Sequence, residues 1–175
     1  SFDAWLGQAT VHNEQAVWLG GHGGESLPAL ERAERAVREA VRLEPNDAQA
    51  WKILGWLKIN RASAQDDRGE DPRAELAAAA EAFAQAVRHD PRDEESRGCL
   101  GLASNNLGNF LMEIGEDPLA HLAEAEKHYR LALELDPDYA VGWFRLGLAA
   151  KNQAGWLERT GPDPRVAWLA AEEAF

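Results

Sequence analysis

His121, Glu124 and His128 are the residues of this chain whose types and spacing come nearest to metal chemistry. On a helix, positions three, four and seven apart share a face, and two imidazoles with a carboxylate are zinc-binding chemistry. The His-x6-His spacing is not the i, i+4 pair of a helical zinc protease, and a solvated helix face accounts for the same residues. Gly20-Gly21-His22-Gly23-Gly24 has the glycine density of a phosphate-cradling loop. It lacks the Lys-Ser/Thr that such a loop needs and no strand-like run precedes it, so it reads as a flexible connection between helices. Cys99 has no histidine partner in its sequence context and reads as a small packing residue. Ser, His and Asp are all present, yet no G-x-S-x-G nucleophile motif occurs. The sequence therefore predicts no catalytic residues, no metal and no cofactor, and a chain that is not an enzyme.

Composition narrows the remaining classes. Of 175 residues 45% are hydrophobic and 27% charged, enough for a soluble domain with a core. Lys and Arg number 18 against 30 Asp and Glu, and the net charge of -12 repels phosphate backbones and anionic lipid. Nucleic acid and membrane surfaces are not expected partners. With one cysteine no internal disulfide can form, and no apolar run reaches the roughly 18 residues that span a bilayer. A cytoplasmic location is the expectation. The start at Ser1 without Met and the helical pattern running to Phe175 predict a fragment of a longer chain.

The elements that position these residues follow from an internal period. Pro45, Pro91 and Pro137 are spaced 46 residues apart, and so are Leu54-Gly55, Leu100-Gly101 and Leu146-Gly147. Gly69-Glu70-Asp71-Pro72, Gly115-Glu116-Asp117-Pro118 and Gly161-Pro162-Asp163-Pro164 keep the same interval. So do Trp5, Trp51 and Trp143, with Arg97 as the exception, and Trp18, Phe110 and Trp156, with Ala64 as the exception. Between these marks apolar residues return every three or four positions in Ala-, Leu-, Glu- and Arg-rich segments, the helical pattern. Gly69 and Gly115 suit the left-handed position after a helix, and Asp71 and Asp117 before Pro suit an N-cap. Each period is two antiparallel helices, predicted at 2–19, 27–43, 47–65, 72–89, 93–112, 118–135, 139–158 and from 164 onward.

Trp51-Lys52-Ile53-Leu54-Gly55 matches the W-x2-L-G opening of the tetratricopeptide repeat, and Ala79 with Phe83 and Ala125 with Tyr129 match its A-x3-F part. The chain thus resembles the tetratricopeptide repeat family. The first second-helix, with Ala33, Val37 and Ala40, lacks the aromatic. The aromatic expected one turn after Leu-Gly is replaced by Lys58, Ser104 and Ala150. The family period is about 34 residues; the surplus here falls between Asn60 and Ala79 and reads as about one and a half extra turns on each helix. The resemblance implies an all-α, right-handed superhelical solenoid: a single domain over 1–175 with nearly four repeats, about 1–45, 46–91, 92–137 and a truncated 138–175. The spacer ending in Gly-x-Asp-Pro and the Arg-rich, Lys-poor composition also resemble helical repeats appended to bacterial serine/threonine kinases.

Helix geometry places residues 51, 54, 55 and 58 on one side of a first helix and 52, 56, 59 and 60 on another. By resemblance the second set lines a concave ligand surface. Across the repeats it reads Leu6, Thr10, Asn13, Glu14; Lys52, Trp56, Ile59, Asn60; Gly98, Leu102, Asn105, Asn106; and Phe144, Leu148, Lys151, Asn152. Asn60, Asn106 and Asn152 could read a ligand backbone or could bond neighbouring helices. Trp56 could anchor a ligand or belong to the core; Trp5, Trp51 and Trp143 are expected in the core. Some family members grip a C-terminal carboxylate, but here only Lys52 and Arg145 sit on matching helices and Trp56 stands where an Asn is needed.

The resulting expectation is a protein-interaction scaffold holding a protein or peptide segment on its concave face. The ligand residues are Lys52, Trp56, Asn60, Leu102, Asn105, Asn106, Phe144, Leu148, Lys151 and Asn152. The alternative is a structural or self-assembly segment of a larger, kinase-linked bacterial protein. In that case the truncated C-terminal end around Trp156, Trp168 and Phe175 packs on another copy or on the rest of its own chain.

Overall fold

The computed structural model describes residues 1–161 together with Arg165, Trp168, Leu169 and Glu172. Among them are seven helices and no strand: α1 (Phe2–Gly21), α2 (Leu27–Leu43), α3 (Ala48–Asp66), α4 (Arg73–His89), α5 (Glu94–Glu113), α6 (Leu119–Leu135) and α7 (Ala140–Thr160). Every predicted boundary from 2 to 158 falls within two residues of these. The expected eighth helix from 164, with its incomplete end at Phe175, lies largely outside the described residues. The chain divides into two compact units, Ser1–Pro91 and Arg92–Phe175. In the first, α1 packs on α2 and α3 on α4, and α3 also rests on α2 and α1. In the second, α5 packs on α6, and α7 rests on both. Each unit is therefore a stack of antiparallel helix pairs, the layering of an all-α solenoid.

The helix ends repeat with the sequence. Gly23, Gly69, Gly115 and Gly161, spaced 46 residues apart, have φ of +73°, +70°, +78° and +101°, a backbone region that favours glycine. After α1, α3 and α5 the next amide reaches back five residues, Gly24 N to Leu19 O, Glu70 N to Gln65 O and Glu116 N to Leu111 O at 2.8 to 2.9 Å. This is the Schellman closure of a helix. The Gly20–Gly24 run is thus not a loose connection, as its composition suggests. α1 continues through Gly21, and Gly23 takes the same terminating position as Gly69. At the second helices Pro72 and Pro118 occupy the cap itself. Asp71 and Asp117 accept the amides of Arg73 and Leu119 at 3.0 and 2.9 Å, which does the work expected of an N-cap side chain.

The core is set by how closely a first helix approaches its own second helix. A Cβ on Gly55 would stand 2.5 Å from Phe83 Cε1, and one on Gly101 2.8 Å from Tyr129 Cε1. Phe83 and Tyr129 are fully buried there. The first pair keeps the interlock with different sizes: Ala9 stands where Gly55 and Gly101 stand, opposite the smaller Val37, and both are fully buried. The tryptophans expected in the core behave differently. Trp5 and Trp143 are exposed, and the indoles of Trp51 and Trp143 donate to Pro45 O and Pro137 O at 2.7 and 2.8 Å. Their amphipathic rings pin the proline turn instead of filling the interior, because a buried indole N–H needs an acceptor and the turn supplies one.

Lys58, at the position where the tetratricopeptide pattern has an aromatic, is largely shielded from water and paired there with two carboxylates. Its Nζ lies 2.8 Å from Glu34 Oε1 on α2 and 3.0 Å from Glu75 Oε2 on α4. Arg61 bridges the same two carboxylates at 2.9 and 3.3 Å, and Arg38 adds 2.7 Å to Glu34. Burial alone would push the Glu34 carboxyl up; the Lys58 hydrogen bond and charge, with Arg38, outweigh it and hold it below its usual range.

Two expected outcomes follow from this packing. Gly55→Ala should cost about 2 kcal/mol in the natural chain. In a Phe83→Val background it should cost nothing, or return the ~1 kcal/mol by which Ala exceeds Gly in a helix; urea denaturation of the four proteins checks it, and equal costs in both backgrounds would refute the interlock. Glu34 binds its proton more weakly folded than unfolded, so its stabilisation is complete above the ordinary value of 4.5 and is lost as pH falls through the lower folded value. Thermal melts between neutral and strongly acidic pH should therefore fall less steeply in Glu34→Gln than in the natural chain.

Candidate functional site

A first helix offers the face not spent on its own second helix or on the neighbouring pair. In the first unit that face joins α1 and α3. Asn60 Nδ2 donates to Asn13 Oδ1 at 2.7 Å, tying the two first helices together. Asn60 also lines an open cleft of about 170 Å³ between the C-terminal halves of α1 and α3, with Val17 exposed at its lip and Ser63 and Asp67 on the far wall. Trp56 turns toward the interior, its ring edge-on to Phe83 with centroids 5.9 Å apart at 84°. Ile59 is buried and Lys52 half-buried. Thr10 and Glu14 are exposed, the Thr10 hydroxyl turned back on Leu6 O at 3.1 Å.

The second unit repeats the arrangement between α5 and α7. Asn152 Nδ2 donates to Asn109 Oδ1 at 2.8 Å. Phe144 is 60% exposed. Leu148 follows it by four residues, half-buried, and Lys151 by seven, exposed, so the three form one line along α7. Leu102 and Asn106 are half-buried on α5. Asn105 is only 4% exposed, and its Oδ1 has no hydrogen-bond partner among the described residues. Gly98 is covered, because the Tyr139 ring stands 3.1 Å from where its Cβ would be. The structure thus brings Lys52, Trp56 and Asn60 to one unit and Leu102, Asn105, Asn106, Phe144, Leu148, Lys151 and Asn152 to the other. Asn109 and Val17 were not singled out by the sequence, although Asn109 lies one helical turn beyond Asn106.

Of the residues with metal-like spacing, Glu124 and His128 are engaged with one another. His128 Nε2 and Lys127 Nζ both lie 3.0 Å from Glu124 Oε1. The Lys127 hydrogen bond holds the Glu124 carboxyl low, and burial pushes the His128 imidazole below its usual range despite that neighbour. Among the described residues no group of three His, Cys, Asp or Glu is placed to hold a metal ion. Cys99 is fully buried. No helix among the described residues is long and apolar enough to cross a membrane.

No protein-family model and no curated protein matches the chain. Solved structures do resemble it. A Thermobaculum terrenum O-GlcNAc transferase mutant superposes with a TM-score of 0.57 at 19% identity, over 91% of this chain and 27% of that one. A crystal structure of MamA gives 0.51 at 20% identity, over 85% of this chain and 70% of that one. The chain therefore spans about a quarter of the transferase's length. At such identities the likeness is one of fold, and the fold it supports is all-helical and tetratricopeptide-like.

Proposed function

We propose that this chain is a non-enzymatic protein-interaction scaffold that holds a protein segment against the inner faces of its first helices. The observation that carries the reading is the line Phe144, Leu148 and Lys151 on α7, headed by an aromatic ring that is 60% exposed. A ring left in water contributes little to folding, whereas burial against a ligand is worth roughly 25 cal/mol per Å² of apolar area. Lys151 beside it gives a strongly acidic chain a local positive charge to orient the partner. In the first unit the cleft by Asn60, with exposed Val17 at its edge, offers a similar mixture of amide and apolar surface. The likeness in fold to helical-repeat structures supports a scaffold without naming its partner.

Within this reading Asn60 and Asn152 serve first to tie neighbouring first helices, because each amide already donates across the stack. The recognition residues proper are those with exposed apolar or charged surface. Self-assembly is a second reading, favoured by Leu169, which is exposed beside Trp168.

Peptides selected from a displayed library against the full chain supply the measurement. Phe144→Ala should weaken the selected peptides about tenfold, the effect of losing one buried aromatic anchor, with an unchanged melting temperature. Asn152→Ala should lower the melting temperature, at about 1 kcal/mol for the lost amide bridge, and change affinity less. Selected peptides that bind Phe144→Ala as tightly as the natural chain would refute the inner-face site. Sedimentation showing dimers dispersed by Leu169→Asp would favour self-assembly instead.

A further inference from the structure

Near its C-terminal end every first helix but α3 carries an aromatic ring at one register position. Trp18, Phe110 and Trp156 follow the 46-residue period, and Ala64 interrupts it. Trp156 shows what the position holds when it is filled. Its ring is half-buried, and the Arg159 guanidinium lies over it, 5.4 Å from the centroid. A cation so placed is attracted by the negative face of the ring. The first unit has neither member of that pair: Ala64 stands at the register of Trp156, and Asp67, two periods before Arg159, puts a carboxylate where the cation would be.

Where the ring is missing there is space. Between the start of α2 and the end of α3, wholly within the first unit, lies a cleft of about 480 Å³ lined by Leu27, Pro28 and Ala64 together with Glu25, Glu31 and Asp67. Its size falls among the roughly 300 to 1,000 Å³ of clefts that take ligands. Both walls belong to helices that pack on each other inside the unit, so the space is not an uncovered end of the stack.

Charge gives a second, separate indication. Glu25, Glu31 and Asp67 are exposed, and none of them forms a hydrogen bond or an ion pair among the described residues. Arg68, the cation among the lining residues, grips Glu70 through two hydrogen bonds of 2.8 Å. In the second unit the register equivalents of Glu25 and Glu31 are Asp117, which accepts the Leu119 amide at 2.9 Å, and Ala123. The first unit therefore sets an apolar space beside three uncommitted carboxylates at the register where the second unit supplies its own ring and guanidinium.

We propose that this cleft binds an aromatic side chain and a neighbouring arginine of a partner protein segment, the ring seated against Ala64, Leu27 and Pro28 and the guanidinium on the carboxylates. Arginine suits the site better than lysine, because its planar group both stacks on a ring and meets carboxylates as a fork. The site is distinct from the line of Phe144, Leu148 and Lys151, and it rests on the scaffold reading only in taking its ligand from a protein.

The probe is a fluorescein-labelled hexapeptide, Ala-Trp-Ala-Ala-Arg-Ala, which keeps the spacing of Trp156 and Arg159, titrated into the full chain and followed by anisotropy. Saturable binding is expected, weakened about tenfold when either the tryptophan or the arginine of the peptide becomes alanine. Asp67→Arg, at an exposed helix end, should weaken it as much with unchanged helix content, and Phe144→Ala should leave it as it is. Ala64→Trp should abolish binding without lowering the melting temperature, since the ring then comes from the chain itself. Absence of saturable binding overturns the proposal, as does equal binding to Asp67→Arg or to the peptide without arginine. Binding lost in Phe144→Ala and kept in Ala64→Trp also overturns it and moves the peptide to the α7 line, so failure here and failure of the inner-face reading give different patterns.

Discussion

The close approach of each first helix to its own second helix is the constraint on which the other contacts rest. Where the second helix brings an aromatic ring, the first must bring no Cβ at all: Gly55 faces Phe83 and Gly101 faces Tyr129. Interiors are packed too densely for either partner to give way alone. Once the pair is locked, each remaining face of the first helix has a fixed role. In α3 and α7 one side receives the second helix of the preceding pair, another meets the neighbouring first helix through an amide bridge, and what is left faces solvent.

In the first unit charge, not a ring, fills the space around position 58. Lys58 and Arg61 stand between the carboxylates of Glu34 and Glu75, one from the preceding pair and one from their own. Lys58 and Arg61 match the two carboxylates charge for charge, Arg38 adds a third cation from the exposed side of Glu34, and each carboxylate oxygen that burial strips of water gains a cation in return. The network joins the two pairs of the first unit at the point where the family pattern would have placed an aromatic.

The 46-residue period made the helices and their ends legible, because glycine at a left-handed turn and aspartate before proline are chemical necessities that recur with the geometry. Gly23 obeys the same register, but its glycine and histidine neighbours hid it. The cross-helix partners were not legible. Asn60 bonds Asn13 and not Glu14 one period before it, and Asn152 bonds Asn109 and not Asn106. Neighbouring helices are inclined, so the touching residue slides along its neighbour and the period no longer names it. The tryptophans misled because hydrophobic size suggests a core, whereas the indole N–H makes a wet turn the better place. Phe144 and Lys151 were grouped on one face by spacing, and that face was made the candidate by the family resemblance; their exposure there depends on what neighbouring helices leave uncovered.

Ala9 opposite Val37 carries a consequence for how such a chain can be recombined. The first pair matches a methyl with a small branched side chain, and the later pairs match a bare backbone with a ring. A whole pair is therefore a transferable cassette, since its size match travels with it. A crossover inside a pair is not: setting the α4 sequence against α1 would drive the Phe83 ring into the Ala9 methyl, and setting the α2 sequence against α3 would leave a hole beside Gly55. Duplication, loss and shuffling are thereby channelled to the proline turns between pairs, where the interior of each pair is kept and only contacts between pairs, such as those of Glu34 with Lys58 and Arg61, have to be remade.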